Sequence, residues 1–394
     1  MTRVMVTDGE TRTALATVRS LGRAGHSVWV TASRLPSLAG ASRFTSHAAQ
    51  VLSPLEDAEA AVEQLGRLAR DHAIEVLIPI TDATMRAVLR DGSDRVGGAV
   101  IAGPGRVAFE SLADKGALLA RATDLGLAVP RSVVAPMPTD LHRAVEEVGY
   151  PCVLKPHRSV VESGAAFQRF AVRYAARPDD VRDPYPEIAY PLLVQERVVG
   201  PGEGVFLLMH HGKRVAAFAH RRLREKPPSG GVSVYRESIQ LPSDLLGRCD
   251  RMLQDCGWHG PAMVEFKRST RTGRAYLMEL NGRLWGSLQL AIDAGVDFPA
   301  LLVESALGRE PRAVEKYELG VRSRWFWGDV DHLLARLLHS RQTLCLGPEA
   351  PSIPKVLWEF LQFGRRGDRF EVLRRDDLRP FLRETVDWFR GRGS

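Results

Sequence analysis

Short apolar runs alternate with stretches of helical apolar spacing through residues 1–102. "RVMVT", "SVWVTA", "EVLIPI" and "GGAVIAG" read as strands, and "TALATVRSLGRAG", ending at Gly25, and "EDAEAAVEQLGRLARDH" read as helices. Strand–helix alternation predicts a parallel, doubly wound sheet, which binds ligands beyond the carboxyl ends of its strands. The first turn, "TDGETRTA", has no G-x-G-x-x-G, so the fingerprint of a nicotinamide dehydrogenase is missing. "DGETR" and "PITDATM" fall at such strand ends, which makes Arg12 and Asp82 candidate substrate contacts.

The pattern changes after residue 102. Residues 103–190 read as a second unit: helix "ADKGALLARATDLGL" with Asp114 as N-cap, strand "AVPRSVV", helix "TDLHRAVEEVG" and strand "YPCVLKPH". Residues 191–310 read as a third unit. Its strands are "PLLVQERV", "GVFLLMHH", "RVAAFAHRR", "VSVYRES", "AMVEFKRS" and "RAYLMELN", and its helices are "DLLGRCDRMLQDCG", "LQLAIDAG" and "FPALLVESALG". Residues 311–394 hold Trp325, Trp327, Trp358 and Trp388 and two helical patterns, "KVLWEFLQFG" and "LRPFLRETVDWFRG". A packed C-terminal helical extension or a contact with a second copy of the chain accounts for them better than a membrane-surface helix.

Composition adds limits. The chain has 394 residues, 44% of them hydrophobic and 26% charged, enough for two or three globular domains. No run approaches the roughly 18 apolar residues of a membrane span. "MTRVMVTDGE" lacks the apolar stretch of a secretory signal, so a cytoplasmic location is expected. The four cysteines have no C-x-x-C spacing and read as free thiols. The net charge of +7 is spread along the chain without a nucleic-acid module, which fits a solvated basic surface or an anionic small substrate. Only seven of the 54 basic residues are lysine, so positions that keep this compact charge stand out.

The densest chemistry lies in "VEFKRSTRTGRAYLMELNGRLWGS". A loop of Arg271, Thr272 and Gly273 would close a hairpin, with Gly273 left-handed. That register pairs Ser269 with Ala275, Lys267 with Leu277 and Glu265 with Glu279, and places Glu265, Glu279 and Asn281 on one face. Facing carboxylates destabilise a sheet unless something offsets their repulsion. Mg²⁺ would do so, since it takes hard oxygen ligands. Arg283, one strand step further, can reach an anion beside the metal.

A phosphate site needs further cations. Lys155 ends the apolar strand "CVLKP", and Lys115 sits where a helix dipole repels cations unless a phosphate is near. "VQERVVGPGEGV" resembles a hinge between lobes; Glu196 and Glu203 there suit an adenine amino group and ribose hydroxyls, and read equally well as solvated acids. "REKPPSGGVS" is either a loop that closes over phosphates or a plain exposed loop. His157, His210, His211 and His220 are expected to be structural or substrate contacts rather than metal ligands.

Taken in order, "ADK" (113–115), "YPCVLKP" (150–156), "VQERVVGPGEG" (194–204), "MVEFK" (263–267) and "MELNGRLWGS" (278–287) resemble the ATP-grasp enzymes. That superfamily includes D-alanine–D-alanine ligase, biotin carboxylase and carbamoyl-phosphate synthetase. The resemblance spans roughly residues 1–310. It implies a multidomain α/β and α+β chain: a Rossmann-like parallel-sheet domain (1–102) preceding the ATP-grasp domain, a small lid-type subdomain (103–190), a subdomain with the metal site (191–310) and a C-terminal extension (311–394). By the resemblance, Lys115 and Lys155 hold ATP phosphates, and Glu196 meets adenine with the backbone of Arg197 and Val198. Glu203 is the ribose-binding acid. Glu265, Glu279 and Asn281 are the Mg²⁺ ligands, with Mn²⁺ as a substitute, and Arg283 stabilises the transferred phosphoryl group. The family's usual "NPR" reads "NGR" here, and its glycine-rich loop is reduced to "HRSVVESG". The implied activity is an ADP-forming carboxylate–amine ligase acting on small molecules, with no nucleic-acid or membrane partner and a homodimer as a compatible assembly. Bicarbonate activation and a non-catalytic ATP-binding regulator are the alternatives.

Overall fold

The computed structural model describes residues 1–181, 185–347, 350–362, 365 and 367–391. The N-terminal segment forms the expected sheet. Its strand order is His47–Gln50, Ser27–Ala32, Arg3–Val6, Val76–Ile78, Ala99–Ile101 and Arg95–Val96, all parallel except the last pair. His47–Gln50 was not legible as a strand, because "HAAQ" has neither β-branched residues nor alternation. "PITDATM" is a strand end followed by a helix, Asp82–Val88, whose Thr81 side chain accepts from the Thr84 N–H.

The small subdomain carries an antiparallel sheet in the order Arg173–Ala175, Cys152–Pro156, Leu192–Glu196 and Ser132–Ala135. The expected boundary at 190/191 thus falls inside the hydrogen bonding of this sheet, since Leu192–Glu196 pairs on both sides with strands before it. Behind it, Leu141, Val145, Leu154 and Val194 form a core of their own. The segment after Lys155 folds into a hairpin, Val160–Ser163 with Ala166–Arg169, docked on the N-terminal domain through Val160 and Phe167 against Ala83 and Ala87.

The largest sheet is seven-stranded: Ala275–Asn281, Gly260–Arg268, Gly202–His210, Lys213–Lys226, Val232–Ser238, Arg322–Arg324 and Asp368–Phe370. The last two strands correct the expectation of a purely helical C-terminal extension. That segment does contain helices Phe326–Leu338, Ile353–Leu361 and Arg379–Phe389, but it also lengthens the sheet. The end of the helix expected at "KVLWEFLQFG" lies outside the described residues. No helix among the described residues is long and apolar enough to cross a membrane.

The N-terminal domain and the large sheet share their cores. Helix Arg12–Arg23 contributes Leu15 and Val18 to a cluster with Phe206, Trp285 and Phe298, while Met5 and Leu77 on the opposite face join Trp258, Phe266 and Leu277. Each fully buried large side chain there stabilises the assembly by about 2–3 kcal/mol. The small subdomain has a separate core, and its hairpin packs on the N-terminal domain through Val160 and Phe167.

Candidate active site

The site is built on the hairpin of the large sheet. Gly273 takes φ +69°, and Glu265 faces Glu279 as the sequence predicts. The rest of the register differs: Arg268 faces Ala275 and Phe266 faces Leu277, one residue away from expectation. A β-bulge between Glu265 and Phe266 absorbs the difference, so the two glutamates still oppose each other. Met278 is the extra residue of that bulge, and it brings its Sδ within 4.0 Å of Lys155 Nζ.

The three expected metal ligands converge. Asn281 Nδ2 lies 3.3 Å from Glu265 Oε1 and 3.4 Å from Glu279 Oε1, placing the amide between the carboxylates. Burial pushes the Glu265 carboxyl above its ordinary range, and Glu279 adds to this while Arg222 opposes it. Burial acts on Glu279 in the same direction, but Lys115 and Lys155 outweigh it and hold that carboxyl below its ordinary value. The two acids therefore differ in environment, and Glu279 is the one tied to the lysines.

Those lysines come from separate segments. Lys115 begins helix Lys115–Asp124, behind the Asp114 N-cap, and its buried Nζ donates to Ser159 Oγ at 2.8 Å. Lys155 donates to Gln195 Oε1 at 2.7 Å; burial lowers its pKa to about 8, with Glu279 offsetting part of the shift. Asp82, Lys115, Ser159, Glu279 and Asn281 line one cleft.

Arg283 joins this cleft to the N-terminal domain. Its Nη2 donates to Asp82 Oδ2 at 2.9 Å and to Asn281 Oδ1 at 3.1 Å, while its buried Nε has no partner. Burial opposes the charge on Asp82, yet Arg283 holds the carboxyl below its usual range. Asp82 therefore faces the cleft, as its strand-end position suggested. Arg12 does not: its guanidinium donates to Glu371 Oε2 at 2.6 Å and lies 3.8 Å from the centre of a Trp325 ring. That is a structural contact with the C-terminal segment.

The nucleotide-base residues are more dispersed. Arg197 and Val198 line a larger cleft, together with Lys267, Glu225, and Pro351 and Glu359 of the C-terminal segment. Glu196 is at the end of its strand, where its Oε1 accepts from the Arg131 N–H at 3.1 Å. Glu203 is not brought to the metal face. It pairs across the sheet with Phe266, whereas Gly204 pairs with Glu265, so alternation sends the Glu203 side chain to the opposite side. There it accepts from Arg268 Nε through both oxygens, at 2.8 and 2.9 Å.

Sequence reasoning missed Arg222. Its Nη2 donates to Glu265 Oε2 at 2.5 Å and its Nη1 to Glu225 Oε1 at 3.0 Å. Its stem crosses Gly202, where a Cβ would sit 2.7 Å from Arg222 Cδ. A glycine in the neighbouring strand therefore opens the route to Glu265. The only signal was an arginine-rich strand beside a glycine-rich one, and only the register connects the two.

The site can hold Mg²⁺ by the chemistry of its donors. Two facing carboxylates suit a hard divalent cation, and the Asn281 amide, whose Nδ2 lies between them while its Oδ1 accepts from Arg283, adds an oxygen ligand when it turns over. Lys115, Lys155 and the unpartnered Nε of Arg283 add positive charge around it. Glu265, Glu279 and Asn281 are the residues that would hold the ion.

Residues 189–328 match the family model "ATP-grasp in the biosynthetic pathway with Ter operon", a span that contains the hairpin and Arg283. A comparison with curated proteins gives no match. Among solved structures, the chain is similar to the biotin carboxylase domain dimer of Hydrogenobacter thermophilus 2-oxoglutarate carboxylase in complex with MgADP, ADP and bicarbonate (15% identity, 81% of this chain and 73% of that one, TM-score 0.62). It is also similar to Staphylococcus aureus N5-carboxyaminoimidazole synthetase (14% identity, 82% and 80%, TM-score 0.60). A third similar structure is an L-amino acid ligase from Bacillus licheniformis (16% identity, 78% and 74%, TM-score 0.58). Residues 189–328 thus match an ATP-grasp family model, and the chain shares the fold of these structures over about four fifths of its length.

Proposed function

We propose that the protein is a Mg²⁺- and ATP-dependent carboxylate–amine ligase that releases ADP and phosphate. The observation that carries this reading is the grouping of facing Glu265 and Glu279 around Asn281, with Lys115 and Lys155 acting on Glu279 and Arg283 donating to Asn281. A bound Mg²⁺ supplies charge neutralisation for phosphoryl transfer and keeps the two acids from repelling each other.

The chain's own residues do the rest by position and charge. Lys115 and Lys155 bind the phosphate oxygens, and Arg283 faces the transferred phosphoryl group. A carboxylate oxygen of the substrate attacks the γ-phosphorus as the bond to the β–γ bridging oxygen breaks, giving ADP and an acyl phosphate. The amine then attacks the acyl carbon, the bond to the phosphate oxygen breaks, and the nitrogen loses a proton. Arg197 and Val198 line the larger cleft, which would take the base. Glu203 has a weaker claim on ribose, because Arg268 occupies it on the other face. Mn²⁺ shares the preference for oxygen ligands and is the natural substitute ion.

A panel of amino acids and other small carboxylates, bicarbonate included, supplied with Mg-ATP should stimulate release of ADP and phosphate, without AMP. Hydroxylamine should trap the acyl phosphate as a hydroxamate. Glu279→Gln should reduce turnover by at least about 10³-fold if its carboxylate holds the metal. Stimulation by bicarbonate alone would move the assignment to carbonyl-phosphate chemistry. ATP binding without turnover for any panel member would favour a regulator.

A further inference from the structure

A second set of ligating side chains lies at the other end of the large sheet. His210 ends strand Gly202–His210, His211 begins the turn that follows, and His259 immediately precedes strand Gly260–Arg268. Met209 pairs with Gly260, so the two segments finish side by side. Their imidazoles gather there, with ring centroids 4.4 Å (His210–His211), 5.0 Å (His211–His259) and 5.5 Å (His210–His259) apart. One ring nitrogen from each lies within 4.8 Å of the other two, a grouping of three His, Cys, Asp or Glu ligands found nowhere else among the described residues.

The cluster has a support that a chance meeting of surface histidines lacks. Ser305, buried on helix Phe298–Ala306, has its Oγ 2.8 Å from His210 Nδ1 and 3.3 Å from His259 Nε2. Ser305 Oγ has two lone pairs, so His210 Nδ1–H and His259 Nε2–H can both donate to it. Lone pairs then remain on His210 Nε2 and His259 Nδ1, the pattern in which a partner beyond the ligands fixes a ring for metal binding. The His211 N–H also donates to His259 Nδ1 at 3.4 Å, a long contact that an ion can replace.

We propose that His210, His211 and His259 form a zinc site separate from the Glu265–Glu279 cleft. Gly204 faces Glu265, and His210 lies six residues further along the same strand, which at about 3.3 Å per residue puts the sites roughly 20 Å apart. Three imidazoles suit Zn²⁺, with a fourth position left to water or an external ligand. Zn–N bonds of about 2.0–2.1 Å require the nitrogens to be about 3.4 Å apart, so the rings must draw in by roughly an ångström. His211 is exposed and can turn to do this. The ion would clip a turn, a strand start and, through Ser305, a helix. The inference uses none of the residues assigned to ATP.

The test is a Zn²⁺ titration of chelator-treated, untagged full-length protein in competition with a chromophoric chelator. One equivalent should bind with submicromolar affinity, and Glu279→Gln should bind it equally well. His211→Ala and His259→Ala should weaken binding at least 100-fold. Co²⁺ in place of Zn²⁺ should give the visible absorption of a four-coordinate site. Because His211 is exposed, His211→Ala carries the test even if the His259 variant does not fold. Absence of saturable one-equivalent binding overturns the proposal. So does equal affinity in His211→Ala, or loss of binding in Glu279→Gln alone.

Discussion

Lys155 is an ammonium in a place that disfavours its charge. Burial brings its pKa to about 8, with Lys115 and Lys267 adding to the shift and Glu279 offsetting part of it. At pH 9 the unliganded chain then keeps this proton in about one molecule in ten, and at pH 7 in about nine in ten. A triphosphate beside the ammonium would restore a pKa of about 10.4 or higher and keep it charged. Binding at pH 9 should therefore take up about 0.9 proton, against about 0.1 at pH 7. The same linkage weakens nucleotide affinity about tenfold from pH 7 to pH 9, or about 1.4 kcal/mol. Calorimetry with Mg²⁺ and a non-hydrolysable ATP analogue, in buffers of different ionisation enthalpy, counts the protons. In Lys155→Met the uptake at pH 9 should fall close to zero. The stability of the free chain has a defined sign as well. Between about pH 8 and 10.4 the unfolded chain binds more protons at this position, so stability should rise with pH, by up to about 3 kcal/mol. An uptake below about 0.2 proton at pH 9, or an equal uptake in Lys155→Met, would refute both the buried ammonium and its contact with phosphate.

Two further outcomes concern the C-terminal segment. Glu371 accepts from Arg12 and from buried Arg236, so Glu371→Gln should leave two guanidiniums without a counter-charge and cost about 3–5 kcal/mol in chemical denaturation. Glu384 is pushed up to about 7 by burial, and its Oε1 accepts from Trp325 Nε1 at 2.8 Å. Its folded form holds a proton that the unfolded chain releases near pH 4.3, so stability should fall by about 3–4 kcal/mol as pH rises from about 4.3 to 7. Glu384→Gln keeps an acceptor for Trp325 and should flatten that part of the melting-temperature profile; an unchanged slope would show that Glu384 titrates normally.

Local sequence determined the elements whose side-chain pattern is read within one segment. Periodicity gave the parallel strands of the N-terminal domain, and Asp114 with Gly126 bracketed the helix that carries Lys115, because caps and alternation depend only on near neighbours. The Glu265–Glu279 pairing was legible only in its outcome: the short loop gave a register one residue off, and a bulge restored the pairing. The bulge that preserves this pairing was not, because packing across the sheet decides where a strand takes up an extra residue. Tertiary structure alone brought Arg222 over Gly202 to Glu265, Asp82 to Arg283 and Gln195 to Lys155. It also turned Glu203 toward Arg268, drew Arg322–Arg324 and Asp368–Phe370 onto the sheet edge, and gathered His210, His211 and His259. A buried charge needs a partner, and nothing in the neighbouring sequence dictates which distant segment supplies it.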